Sequence, residues 1–126
     1  MIHKRWIATG SFSLALVIGL GAFGAHALHD MLAVTGRLET YHTAVEYHFY
    51  HSFALIALGL LAPYLPGKQT GIVGALFLSG IALFSGSLYT LCFTDISAFG
   101  MITPLGGVAF IAGWVWLGLG FTRQKI

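Results

Sequence analysis

Charge is the scarcest thing in this chain. Only 8% of its 126 residues are Asp, Glu, Lys or Arg, whereas 57% are hydrophobic. A soluble globular domain carries roughly 25% charged residues. So few charges cannot cover a water-facing surface, and lipid must solvate much of the outside. A single cysteine, Cys92, excludes an intrachain disulfide. Six Lys and Arg residues, never clustered beyond the Lys4-Arg5 pair, exclude the basic face that nucleic acid requires. Catalytic signatures are missing as well. No HExxH, CxxC, GxSxG or phosphate-binding glycine loop occurs. The expectation is a protein that is not an enzyme and carries no cofactor.

What is present is apolar, in long runs. Spans of about 20 residues with short connections fill the chain four times over. The sequence therefore predicts an all-α membrane protein, a four-transmembrane-helix bundle forming one transmembrane domain over 1–126. Its helices are expected at about 6–28, 38–65, 70–93 and 102–121, with connections at about 29–40, 64–69 and 94–101. The first run, Trp6 to Leu28, ends near a small-x-small triplet, Ala25-His26-Ala27. Its length exceeds the roughly 7–15 residues of a signal h-region, which points to an uncleaved helix. Pro63, Pro66 and Gly67 break the second run, and Thr103-Pro104 opens the fourth as a helix start. Seventeen glycines fall largely inside these runs, where small residues let helices approach. The expected contacts are Ala15, Gly19 and Ala22 on the first helix, Ala75 and Ser79 on the third, and Ala109 and Gly113 on the fourth.

An even number of spans puts both termini and the Lys68 connection on one side. That side holds Lys4, Arg5, Lys68, Arg123 and Lys125 and no acid; the other holds Arg37 with Asp30, Glu39 and Asp95. The positive-inside rule then predicts an N-in/C-in topology, with both termini cytoplasmic.

Polar residues inside a membrane are costly unless paired or functional, so their placement is informative. The second helix carries Glu39, His42, Glu46 and Tyr50 on one stripe at about 100° per residue, with Tyr47 and His51 beside it. His26 and Asp30 stand four apart at the end of the first helix, where a cap or ion pair is expected. Ser85, Ser87 and Tyr89 lie in the outer half of the third helix, and Thr103 opens the fourth. All four helices bring polar groups to the extracytoplasmic half. The candidate polar cluster is therefore His26, Glu46, Tyr47, His51, Ser85, Ser87, Tyr89 and Thr103. Glu46 and His51 are expected to point into the bundle or along its inner edge. Their expected partners are His42, Ser85, Ser87 or Tyr89, with His51 and Ser87 meeting at one depth. His42 and His48 are expected to face water or headgroups, and Cys92 to be a small buried hydrophobe.

These stretches resemble a known family. Gly21-Ala22-Phe23-Gly24-Ala25-His26, Thr43-Ala44-Val45-Glu46-Tyr47-His48-Phe49-Tyr50-His51, Leu83-Phe84-Ser85-Gly86-Ser87-Leu88-Tyr89 and Thr103-Pro104-Leu105-Gly106-Gly107 resemble, in order, the helix motifs of domain-of-unknown-function family 423. His48 stands where that family commonly has glutamine. The resemblance implies a four-helix protein of the bacterial inner membrane with no established activity, and no catalytic residue to carry over.

The leading functional expectation is a non-enzymatic accessory protein, or a binder of lipid or another small amphiphile. Its partners would be membrane lipids, or a larger membrane complex or homo-oligomer. A proton-coupled transporter using Glu46 comes second. A haem- or metal-binding subunit using His26 and His51 is third, and an integral membrane enzyme fourth.

Overall fold

A computed structural model of the chain describes residues 1–124, which leaves Lys125, one of the orienting bases, outside the described residues. The order is α1 (Lys4–Ala25), α2 (His29–Thr35), α3 (Leu38–Leu61), α4 (Gln69–Gly80), a π-helical turn (Ile81–Ser85), α5 (Gly86–Thr94) and α6 (Thr103–Thr122). Short 3-10 turns at Ala62–Tyr64 and Ser97–Met101 make the remaining connections. The all-helical architecture agrees with the sequence.

α1 buries only Gly10, Val17 and Gly24, residues two turns apart that form one narrow seam. α3 lies antiparallel along that seam. A Cβ on Gly24 would collide with the Tyr41 ring, one on Gly10 would sit 2.7 Å from the Ser52 carbonyl oxygen, and one on Gly59 would sit 2.9 Å from the His3 carbonyl oxygen. Glycine is required there because ring and backbone occupy the place of its missing side chain.

The second helix pair follows the same logic. Gly80 faces Phe110, Gly106 meets the backbone of Leu83 and Phe84, Gly113 faces Phe77, and Gly120 faces Gln69. As numbers rise on α6 they fall on α4–α5, so the two run antiparallel in a fixed register. The pairs α1–α3 and α4–α6 meet mainly along α3. There Leu55, Leu58, Val73, Phe77 and Phe110 make the largest core cluster.

The expectation of contact through small residues therefore holds, but its phase does not. Ala15, Ala22, Ala75 and Ser79 are exposed, and Gly19 has nothing within 4 Å of a modest added Cβ. Gly113 is buried as expected, and Ala109 is half-buried. The seams follow the glycines that receive an aromatic ring or a backbone, which alanine cannot do.

Among the described residues, three helices are long and apolar enough to cross a membrane: Lys4–Ala25, the continuous rod Gln69–Thr94, and Ser97–Thr122. Their outward faces carry Phe12, Ile18, Phe23, Val108, Ile111 and Val115, all exposed, as a lipid-solvated surface requires. α3 has the length, at 24 residues, but Glu39, His42, Glu46, His48 and His51 crowd its first half and lower its hydropathy.

Two local features differ from expectation. The 29–40 connection is not a plain loop. It folds α2 and ends on Gly36 at φ 72°, with the Arg37 N–H donating to the Leu32 carbonyl at 2.8 Å, a Schellman-type stop. Leu32, fully buried, holds α2 down. Similarly, the helix expected at 70–93 is interrupted. At Ile81–Ser85 the turn widens, and the Gly86 N–H donates to the Ile81 carbonyl, five residues back. This is where Gly106 presses its backbone against Phe84.

Candidate functional site

The polar residues converge toward the α2 end of the bundle, but as two separate arrangements. The first is an internal network. Ser52 Oγ donates to the His48 carbonyl at 2.7 Å, which uses its only proton. Ser13, 2.6 Å from Ser52, must then donate to it. Hence His48 Nε2–H donates to Ser13 Oγ at 3.0 Å, and His48 Nδ1 accepts from the Tyr89 hydroxyl at 2.9 Å. The chain of donors runs from α5 through α3 to the middle of α1 and back, with His48 neutral.

His51 is fixed in the same manner. The Trp114 indole N–H donates to Nε2 at 3.0 Å, so the ring proton is on Nδ1, which donates to the Tyr47 carbonyl at 2.7 Å. The imidazole lies flat on Phe110, with ring centroids 3.5 Å apart. Ser85 Oγ donates to the Ala44 carbonyl at 2.8 Å. Ser87 Oγ donates to the Phe84 carbonyl at 2.9 Å and accepts from Thr103, 2.6 Å away, which joins α5 to α6.

His51, Ser85, Ser87, Tyr89 and Thr103 thus do point inward, yet their polar atoms are consumed by Trp114, by His48, by one another and by the backbone. They are helix fasteners. His51 meets Trp114 rather than Ser87, a correction set by the π-helical turn, which commits Ser87 to Thr103. Tyr47 is partly exposed and lays its ring on Phe84, with centroids 4.6 Å apart.

Two expectations are overturned by the rotation of α3, and a third by where α1 ends and α2 begins. Glu46 does not enter the bundle, its side chain being 42% exposed, although it does meet an expected partner, His42, at 3.0 Å. His48, expected in water or headgroups, is buried and is the hub of the network. His26 is exposed at the end of α1, and Asp30 faces His29 at 3.5 Å instead. His26 and His51 are also far apart. Ser13 bonds Ser52 beside His51, and His26 is thirteen residues further along α1, roughly 20 Å at the helical rise. One haem or metal cannot take both. Among the described residues no group of three His, Cys, Asp or Glu side chains comes together for a metal ion.

The signal for His48 was in the sequence. The buried stripe of α3 runs Tyr41, Ala44, His48, His51 and Ser52, Leu55, Leu58. Extending the apolar Leu58–Leu55 stripe upward by steps of three and four reaches His48. Ser13 and Trp114 had no such signal, because their roles depend on partners across helices.

The second arrangement is a cavity of about 570 Å³ between the end of α1, α2 and the start of α3. Gly21, Gly24 and Ala25 form one wall, Leu32 of α2 another, and Leu38, Tyr41 and Val45 of α3 a third. His29, Glu39 and His42 also line it, and all three are exposed, which marks the mouth. α1 stops at Ala25 and offers only glycine at 21 and 24, which leaves the space open. The Tyr41 hydroxyl, donating to the Leu20 carbonyl at 2.5 Å, keeps its ring as a wall. Arg37 Nε and Nη2 hold one Asp95 oxygen at 3.1 and 3.0 Å, tying the α2–α3 turn to the end of α5. An apolar chamber of this size with a few polar groups at one end is the form of a small-molecule site, typically about 300–1,000 Å³.

Residues 20–107 match the family model described as Protein of unknown function (DUF423). The chain is 47% identical over 113 residues to UPF0382 membrane protein YwdK of Bacillus subtilis, covering 89% of this chain and 91% of that protein. It is 40% identical over 117 residues to a UPF0382 membrane protein of Staphylococcus saprophyticus, with 93% and 96% covered. It is 38% identical over 124 residues to one of Haemophilus influenzae, with 98% of each chain covered. No solved structure matches.

Proposed function

The chain belongs to the DUF423 family of membrane proteins of unknown function, and on that premise we propose that it is a non-enzymatic binder of a lipid-like amphiphile, held in the cavity beneath α2. One observation carries this reading: apolar walls from α1, α2 and α3 line an open cavity of about 570 Å³, with His29, Glu39 and His42 at its exposed rim. That division matches a molecule with a tail and a headgroup. The internal network supports it indirectly, since its polar atoms satisfy one another and leave no group free to act on a substrate. In this reading all four long helices cross the bacterial inner membrane, both termini are cytoplasmic, and the cavity opens at the extracytoplasmic leaflet. The basic residues Lys4, Arg5, Lys68 and Arg123 favour that orientation, and membrane lipids are the partners.

Native mass spectrometry of protein ejected from nanodiscs tests the proposal. Wild type should retain one amphiphile molecule. Ala25→Trp, at an exposed wall position, should lose it while keeping its helicity. Retention of the same adduct by the variant would end the case for this cavity.

A further inference from the structure

The charges around the mouth specify the headgroup. Glu39 lines the cavity, is exposed, and has no ion-pair partner among the described residues. The neighbouring cation, Arg37, is turned away and held by Asp95 at 3.0 Å. His42, on the other side of Glu39, faces Glu46 at 3.0 Å, and His29 faces Asp30 at 3.5 Å. Each base that lines the mouth, His29 and His42, therefore faces an acid, and the carboxylate of Glu39 is left over. Below it the walls are hydrocarbon: Gly21, Gly24, Leu32 and Val45.

Building on the amphiphile-binding reading above, we propose that the cavity selects a cationic amphiphile, with its ammonium group beside Glu39 and its alkyl chain between α1, α2 and α3. Exposed at the rim of the cavity, the Glu39 carboxylate attracts an ammonium headgroup held beside it by an alkyl chain in the apolar space. It repels a sulfate or phosphate headgroup for the same reason. The charge complementarity comes from the arrangement of partners, since Arg37 turned toward Glu39 instead of Asp95 would cancel it.

The test uses full-length protein, ¹⁵N-labelled, in phosphatidylcholine nanodiscs, with dodecylammonium, dodecanol and dodecyl sulfate as probes. Saturable shifts of the Gly21 and Gly24 amide resonances report occupancy of the cavity. Dodecylammonium should bind at least tenfold tighter than dodecanol, and dodecyl sulfate weaker than both. Glu39→Gln should remove most of the ammonium preference and leave dodecanol unchanged. Lys68→Gln, which removes an exposed charge outside the cavity lining, should leave the order of the three intact. Equal binding of the three probes, or an ammonium preference that survives Glu39→Gln, would overturn the headgroup assignment while the cavity remains a binding site. No saturable shift with any probe would overturn the amphiphile reading itself.

Discussion

Gly106→Ala places a methyl group against backbone rather than against a side chain that could swing aside. The new Cβ would overlap the Phe84 amide nitrogen and lie 2.7 Å from both the Leu83 carbonyl carbon and the Phe84 Cα. Those atoms belong to the π-helical turn, which is anchored to α3 by the Ser85 bond to Ala44. α6 must therefore move away, and overpacking of this kind costs about 1–3 kcal/mol. The shift also strains the Thr103–Ser87 bond three residues earlier, worth about 1 kcal/mol. Against this, alanine is favoured over glycine in a helix by about 1 kcal/mol. The net expectation is a loss of about 2 kcal/mol. Gly19→Ala is the matched control: nothing lies within 4 Å of its added Cβ, so it should be neutral or stabilising by up to about 1 kcal/mol. Equilibrium unfolding in mixed micelles, followed by helical circular dichroism, would measure both. Equal effects, or a more stable Gly106→Ala, would refute the register deduced for α4–α5 against α6.

Trp114→Phe removes the donor to the buried His51 Nε2 and should cost about 1–3 kcal/mol in the same unfolding assay. Tyr89→Phe and Ser13→Ala each strip a partner from His48, so the double variant should depart from additivity by more than about 0.5 kcal/mol. Reporter fusions at Lys68 and at Arg123 should both read as cytoplasmic, and an extracytoplasmic signal at either would contradict the four-span orientation.

How much of this was legible in the sequence depends on the range of the interaction. The rods of α1, α3 and α6 follow from apolar runs and breakers such as Pro63 and Pro104, which act locally. The inward placement of Ser85, Ser87, Tyr89 and Thr103 followed from their shared depth. Glu46 was misplaced because a carboxylate on a membrane helix is costly unless it turns inward, although it shares a polar stripe with Glu39, His42 and Tyr50. Here that stripe lies toward the exposed side, and the interior histidines are the two that find exact hydrogen-bond partners on other helices. α2 escaped notice because its seven residues owe their helicity to Leu32 inserting into the core and to the Gly36 stop. The π-helical turn has no period of its own in the sequence. The cavity was equally hidden: it is a space left by Gly21 and Gly24 where α1 ends, and it exists only once α2 folds back over it.

Photolabelling reads occupancy of the cavity residue by residue. A diazirine-tagged fatty alcohol, incorporated into nanodiscs with the protein and irradiated, marks whatever its alkyl chain touches. Saturable labelling of Gly21–Ala25, Leu32 and Leu38–Val45 is expected, displaced by untagged dodecylammonium and abolished by Ala25→Trp. Labelling confined to the lipid-facing residues Phe12, Ile18, Val108 and Ile111, without saturation, would contradict it.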